Sequence, residues 1–235
     1  MLASMEFAPF DNRGYPTLSV KDGYSAWAET YDDTVLDLMD LRVAEQLASV
    51  AWEEHDQVLD MACGTGRLGA WLRTKGVAAI DGVDLTPAML ERARARNAYR
   101  DLMTGAVTAV DRTEGLYSLI CQSLADEHLP DLGPLYAEAF RLATPGGLFV
   151  LLGYHPWFLM DGMPTHFRDR YGQNLAIESH VHLFADHAAA ALGAGWALAE
   201  LKEALVDDAW IAAKPKWADR RGRPISFGWV WRKAA

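Results

Sequence analysis

The stretch Leu59–Gly69, "LDMACGTGRLG", gathers residue types from which a nucleotide site is made. Gly64, Gly66 and Gly69 have the G-x-G-x-x-G spacing of dinucleotide-binding folds, where a tight turn and a helix N-terminus receive an anionic pyrophosphate. Asp60, however, stands just before them at the end of an apolar run. Two like charges a few ångströms apart cost about 4 kcal/mol at an effective dielectric near 20, so a carboxylate there opposes a pyrophosphate. It attracts a cation instead. S-adenosylmethionine carries a sulfonium and an ammonium and no phosphate, and the glycines would still let the backbone approach it closely. Asp84 closes the next apolar run and is spaced to accept two ribose hydroxyls. Both cofactors offer those hydroxyls, so Asp60 discriminates between them and Asp84 does not.

The groups suited to proton transfer come later. His155 follows an apolar run in "LLGYHPWF"; it reads either as a base or as a capping histidine. "LADEHL" holds Asp126, Glu127 and His128, of which one is expected to face a pocket and the others to be surface or helix-start charges. Asp126 is taken as the candidate, and His166 in "GMPTHF" as a third. In "ESHVHLFADH", an extended chain would put Glu178, His180 and His182 on one face. No cysteine pair or second anchored cluster supports a metal, so these read as polar residues of a lid or sheet edge and no metal is expected. Trp157, Phe158, Trp210 and Trp217 hint at an apolar or aromatic acceptor.

These residues need a frame. From Gln57 onward apolar runs alternate with helical patterns. Strands are expected at 56–62, 77–84, "DLMTGAV", 116–123 and "LFVLLGY", with helices between them; Thr86 and Pro87 mark one helix start. Alternation of this kind, with runs apolar throughout, indicates a doubly wound α/β sheet covered on both faces, with ligands at its carboxyl rim. A helix from Phe184 and strands at 196–206 and 224–233 follow. Residues 1–23 read as a flexible arm, 24–50 as a helical lid of two pieces broken near Asp32–Asp33, and about 154–182 as an insertion covering the acceptor; 24–235 form one domain.

With 22 basic and 32 acidic residues the net charge is −10, which argues against nucleic acid held on a broad basic surface. The one basic cluster, "KPKWADRRGR", reads as a solvated loop in preference to a phosphate patch. No apolar run could span a bilayer and no export signal is visible, so no membrane partner is expected. Two cysteines, both in apolar segments, suit a reduced cytoplasmic protein. Nothing in the residues decides between monomer and homodimer.

"VLDMACGTGRLGAWL" resembles the first signature of the class I SAM-dependent methyltransferases, "GVDLTPAMLERAR" their second, and "YSLICQSLADEHLPDLGPLYAEAFRLATPGGLFVLLGY" the strand, helix and Pro-Gly-Gly strand block of their small-molecule branch, which serves quinone and secondary-metabolite biosynthesis. The resemblance implies a Rossmann-like seven-stranded sheet, mostly parallel, its last strand antiparallel between the fifth and sixth. It implies cofactor contacts from Asp60, Ala62, Cys63, Gly64 and Gly66 to the methionine part, Asp84 to ribose, Leu85 and Met89 beside adenine, and Gln122 and Ser123 toward the sulfonium. Relatives often place an Asp where Ala106 stands, so adenine would rely on a backbone carbonyl, Asp111 or apolar contacts. "GYSAWAETYDD" resembles the entry helix; Tyr24, Trp27 and Tyr31 share one helical face, as a cofactor lid or as core. The expected activity is methyl transfer from S-adenosylmethionine to a small molecule. The rivals are an NAD(P)-dependent oxidoreductase, which leaves Asp60 unexplained, and a non-catalytic SAM-binding protein.

Overall fold

The computed structural model describes residues 5–235. A seven-stranded sheet organises the chain: β1 (Gln57–Met61), β2 (Ala79–Asp84), β3 (Asp101–Thr104), β4 (Tyr117–Ser123), β5 (Ala143–Tyr154), β6 (Trp196–Leu205) and β7 (Pro224–Lys233), in the order β6-β7-β5-β4-β1-β2-β3. Strands β1 to β5 pair in parallel, and β7 runs antiparallel to both β5 and β6. This is the sheet that the resemblance implied. Strand order reverses at β1, whose neighbours are β2 and β4, so a crevice opens above the carboxyl ends of these three strands.

The strand residues are apolar on both sides because both faces are covered. Along β1 and β4, Val58 and Leu119 point to one face, Leu59 and Ile120 to the other. The first face packs on Leu68 and Leu72 of α2 (Arg67–Thr74) and on Val43 and Leu47. The second packs on Leu135, Tyr136 and Ala139 of α4 (Gly133–Leu142), on α5 (Phe184–Ala194) and on a row of tryptophans from β6 and β7. Each fully buried Leu or Phe contributes about 1.5–3 kcal/mol, so this double-sided core fixes the rim on which the site stands. α3 (Pro87–Ala95) follows β2 with Pro87 in its first turn. Its helix start at Thr86 is as expected, although the Thr86 side chain makes no capping bond.

The N-terminal part departs from expectation. Residues 1–4 of the expected arm lie outside the described residues; from Met5 onward the chain is docked. Met5–Glu6 pairs antiparallel with His180–Val181, and Thr17–Leu18 runs parallel to Asn174–Ile177, which in turn pairs with His166–Arg168. Phe7 is buried beside Val181 and Trp210. So the arm and the insertion pair with each other, as small sheets that carry no long pattern in sequence. α1 (Val20–Trp27) begins four residues before Tyr24 because Ser19 caps it, its hydroxyl accepting from the N–H of Asp22. The expected break at Asp32–Asp33 is instead a helical turn, Tyr31–Thr34, and the expected second lid helix is reduced to the single turn Leu41–Ala44. Asp37 and Asp40 between them bond Arg67 of α2 at 2.7 and 3.0 Å, and Asp40 also accepts from Leu41 N–H. These long-range bonds hold the segment out of a continuous helix.

Candidate active site

β1 delivers the chain into a turn with Ala62 at φ +57° and Gly64 at +52°, and β4 delivers Leu124 at +51°. Ala62 and Leu124 are not glycines, and each left-handed residue costs roughly 1–2 kcal/mol. Both line one cavity at the switch point. Asp84 ties the rim together: its carboxylate accepts from Gly64 N–H at 2.9 Å and from Thr86 N–H at 2.8 Å. Leu85, Met89, Val107 and Thr108 continue the wall on one side, Ser123 closes it on the other, and Tyr24, Tyr31 and His128 stand over it.

Asp60 sits deeper, only 1% exposed, on a narrow cleft that shares Tyr31, Ala62, Gly64 and Ser123 with that cavity. Its carboxyl is raised to about 7, first by burial and then by Asp84 and Asp40, against the pull of the Tyr99 hydroxyl, which donates to Oδ2 at 2.7 Å. The Tyr99 ring reaches Asp60 because three glycines leave room. A Cβ at Gly69 would lie 2.3 Å from the Tyr99 phenol, and one at Gly66 or Gly82 would lie 2.9 Å from its ring. The third glycine of the loop therefore serves the carboxylate, not a phosphate. Cys63 is a buried thiol held well above its ordinary range by burial and by Asp60 and Asp84, so it is no nucleophile at neutral pH.

A larger cavity of about 680 Å³ lies beyond the phenols, between the N-terminal segment, the insertion and the segment before β7. Trp27, Tyr154, Phe158, Trp210 and Trp217 form much of its wall. Trp27 stacks on Tyr24 at 5.9 Å, so the two cavities meet at an aromatic partition. A polar chain crosses the same partition. Tyr24 Oη lies 2.8 Å from His128 Nε2, His128 Nδ1 lies 2.6 Å from the Glu178 carbonyl, and Glu127 Oε1 accepts from Thr165 Oγ1 at 3.0 Å and lies 3.4 Å from His128 Nε2. Thr165 lines the larger cavity and His128 the smaller.

The expected site residues divide accordingly. Tyr24, Tyr31, Ala62, Gly64, Asp84, Leu85, Met89 and Ser123 line the cofactor-sized cavity; Asp60 and Cys63 line the cleft joined to it. Gly66 caps α2 instead, and the Gln122 amide, with its oxygen turned to the loop, accepts from Ala125 and Asp126 N–H. Ala106 lines the cavity with Gly105 and Val107, whereas Asp111 does not. Of the candidate bases, only His166 lines a cavity, the larger one. His155 is an N-cap: its Nδ1 accepts from Trp157 N–H and its Nε2 lies 2.8 Å from Glu203. Asp126 turns into the core, 3.5 Å from the buried His187, and burial beside Glu127 raises its carboxyl well above the ordinary range. Its neighbour His128 lines the smaller cavity, and Glu127 bonds Thr165 on the wall of the larger one, so the turn after β4 presents a different member of "DEH" from the one sequence singled out. Tyr99, Thr108 and the Asp40–Arg67 pair are further site residues that sequence did not single out. His182 Nε2 is 2.7 Å from the Leu129 carbonyl. Among the described residues no group of three or more His, Cys, Asp or Glu side chains is placed to hold a metal ion.

A family model described as "Methyltransferase domain" matches residues 58–147. The human methyltransferase-like protein 27 is 34% identical over 150 residues, covering 59% of each chain. A malonyl-[acyl-carrier protein] O-methyltransferase of Serratia marcescens is 29% identical over 133 residues, 56% of this chain and 51% of that one. The chain thus spans about half the length of the curated relatives it matches. A solved S-adenosylmethionine-dependent methyltransferase from Mesorhizobium loti superposes with a TM-score of 0.66 at 22% identity, covering 86% of this chain and 99% of that one, which is a likeness of fold. With the sheet order, the two rim carboxylates and the glycine turn, these matches make residues 58–147 similar to a methyltransferase domain, on a fold shared with solved S-adenosylmethionine-dependent methyltransferases.

Proposed function

We propose that this chain transfers a methyl group from S-adenosylmethionine to an oxygen, nitrogen or carbon nucleophile of a small organic molecule held in the larger cavity. The observation that carries the reading is the partition: a cofactor-type cavity and a larger aromatic one meet at Tyr24 and Trp27, with a proton-accepting histidine beside them.

The donor set fits the cofactor. Asp84 has its carboxylate pinned by two backbone N–H groups and open to ribose hydroxyls. Asp60 is a buried carboxylate whose charge a cation would favour. Leu85, Met89 and Val107 offer adenine apolar contacts, and Thr108 stands near Ala106 as a polar partner. When bound, the cofactor supplies a methyl group already activated by a sulfonium.

The chain's own residues then have three tasks. The aromatic partition excludes water. The cavity walls hold the nucleophile in line, which is where most of the rate is gained. His128 receives a proton where the acceptor has one to lose. Its Nδ1–H donates to the Glu178 carbonyl, which leaves Nε2 as an acceptor for the Tyr24 hydroxyl. A proton passing to Tyr24 Oη displaces the phenol proton onto His128 Nε2, and Glu127 stabilises the imidazolium formed.

The two buried free thiols support a reducing compartment, and we assign the protein to the cytoplasm. Among the described residues no helix is long and apolar enough to cross a membrane. The deciding experiment pairs calorimetry of S-adenosylhomocysteine binding with a radiolabelled-methyl screen of metabolite extracts. Micromolar binding and a labelled small product are expected; binding of NAD with none of S-adenosylhomocysteine would refute the reading.

A further inference from the structure

The larger cavity has the opposite charge balance to the rest of the chain. Its lining includes five Lys and Arg side chains against two carboxylates, Asp33 and Asp219, whereas the whole chain has 22 basic and 32 acidic residues. Two of the five are engaged: Arg220 with Asp161, and Arg168 with the Gly172 carbonyl. Among the described residues Arg13, Lys214 and Lys216 have no ion-pair partner. They come from distant parts of the sequence and line the same cavity as His166. Its imidazole is held below the usual range first by burial, against the opposing pull of the Pro164 carbonyl, and further by Lys216, Arg13 and Lys214. Gathering three cations around a half-buried imidazole costs free energy unless an anion joins them.

Beneath this mouth the cavity is aromatic. Trp210 and Trp217 stack at 5.2 Å with an interplanar angle of 5°, Phe158 lies 5.7 Å from Trp217, and the Lys214 ammonium lies 5.7 Å from the Trp217 ring. Trp210 is 1% exposed and its buried Nε1–H has no partner, a donor that a polar atom of a bound molecule would satisfy. The basic cluster "KPKWADRRGR" is thus in part a cavity lining and not simply a solvated loop.

We propose that the acceptor is an anion: a molecule with a flat apolar or aromatic body seated on Phe158, Trp210 and Trp217, and a carboxylate or phosphate monoester held by Arg13, Lys214 and Lys216. This rests on the methyltransferase reading for the word acceptor, but the binding site stands on its own residues. Charge-assisted contacts to such a group discriminate strongly against a neutral isostere.

The test uses three matched probes, 1-naphthoate, 1-naphthyl phosphate and neutral 1-naphthamide. Each is titrated by calorimetry into the full chain, with and without S-adenosylhomocysteine, and into a Lys214→Met/Lys216→Met variant. Binding of at least one anion about tenfold or more tighter than the amide is expected, with that preference lost in the variant and weakened by salt. Whichever anion keeps the preference identifies the group. Equal binding of amide and anions, an anion preference unmoved in the variant, or no anion binding at millimolar concentration would each overturn the proposal. The S-adenosylhomocysteine titration separates the two readings. Its failure alone removes the methyltransferase assignment, and its success without anion preference removes only this one.

Discussion

The Tyr99 hydroxyl donates to Asp60 Oδ2 at 2.7 Å across a space that Gly66, Gly69 and Gly82 leave open. The carboxylate proposed to face the cofactor's cation is therefore held from behind by a phenol and buried so deeply that its proton leaves only near pH 7. A bound cation shifts that balance toward the ionised form. S-adenosylmethionine affinity should then be nearly flat above pH 7 and fall by up to tenfold per unit below it. Asp60→Asn should weaken binding about 10- to 100-fold and abolish the pH dependence. A calorimetric series from pH 5.5 to 8.5 checks both, and an unchanged profile in the variant would remove Asp60 from the site. The free protein behaves oppositely. A carboxyl raised in the folded state contributes stability below about pH 4 that is lost as pH rises through about 7. The melting temperature of Asp60→Asn relative to wild type should accordingly improve from pH 5 to pH 8.

Gly69→Ala places a methyl 2.3 Å from the Tyr99 phenol. Overpacking of this kind costs about 1–3 kcal/mol, and here it should also weaken cofactor binding by displacing Tyr99 from Asp60. Combining it with Tyr99→Phe should restore part of the stability but none of the affinity. Additive losses in melting experiments would show that the two positions do not touch.

Asp84→Ala leaves the N–H groups of Gly64 and Thr86 without their acceptor and the ribose without a partner. A loss of about 1–3 kcal/mol of stability per orphaned donor is expected, together with cofactor binding too weak to measure by calorimetry. Asp84→Glu should recover neither, because the longer side chain misses both donors.

His128→Gln and Tyr24→Phe should each lower kcat about 10²- to 10⁴-fold for an acceptor that must lose a proton, with cofactor affinity changed less than about threefold. For an acceptor with no proton to lose the effect should vanish. His155→Gln, by contrast, should act on stability through the lost cap. Equal kcat losses for both kinds of acceptor would make His128 structural.

His187 is fully buried, its imidazole held down to about 3 by burial and His182, with Nδ1 2.9 Å from Tyr136 Oη and Nε2 near Asp126. A base depressed in the folded state contributes stability above its ordinary pKa of about 6.5 that is lost as pH falls. Each unit below 6.5 should cost up to about 1.4 kcal/mol on this account. His187→Gln should be less stable at pH 7 yet lose less between pH 7 and 5. Parallel melting curves for the two proteins would contradict the assignment.

The sheet was legible because its strands are short apolar runs punctuated by Gly and Pro, and because Asp60 and Asp84 end two of them. The order of the strands was not in that pattern; it came from the resemblance. Asp126 was the wrong member of its trio to judge from position alone. A 3-10 turn sends successive side chains about 120° apart, so which of Asp126, Glu127 and His128 meets the cavity depends on the roll of the turn, not on composition. Tyr99 left a trace that could have been followed: three glycines around one spot ask for one large side chain. The docked N-terminus left none, since strands of two residues carry no period.

β7 comes after every other sheet strand in sequence yet sits between β5 and β6. During synthesis at roughly 5–20 residues per second, β6 has no neighbour to pair with until residues 224–233 emerge. β1 to β5 can assemble first, and with them the loops that line the cavity at the switch point. Trp210, Trp217 and the two lysines beside them arrive only with the return strand. The cavity at the switch point can thus form before the larger one is closed, and until β7 docks the exposed edge of the sheet is that of β5.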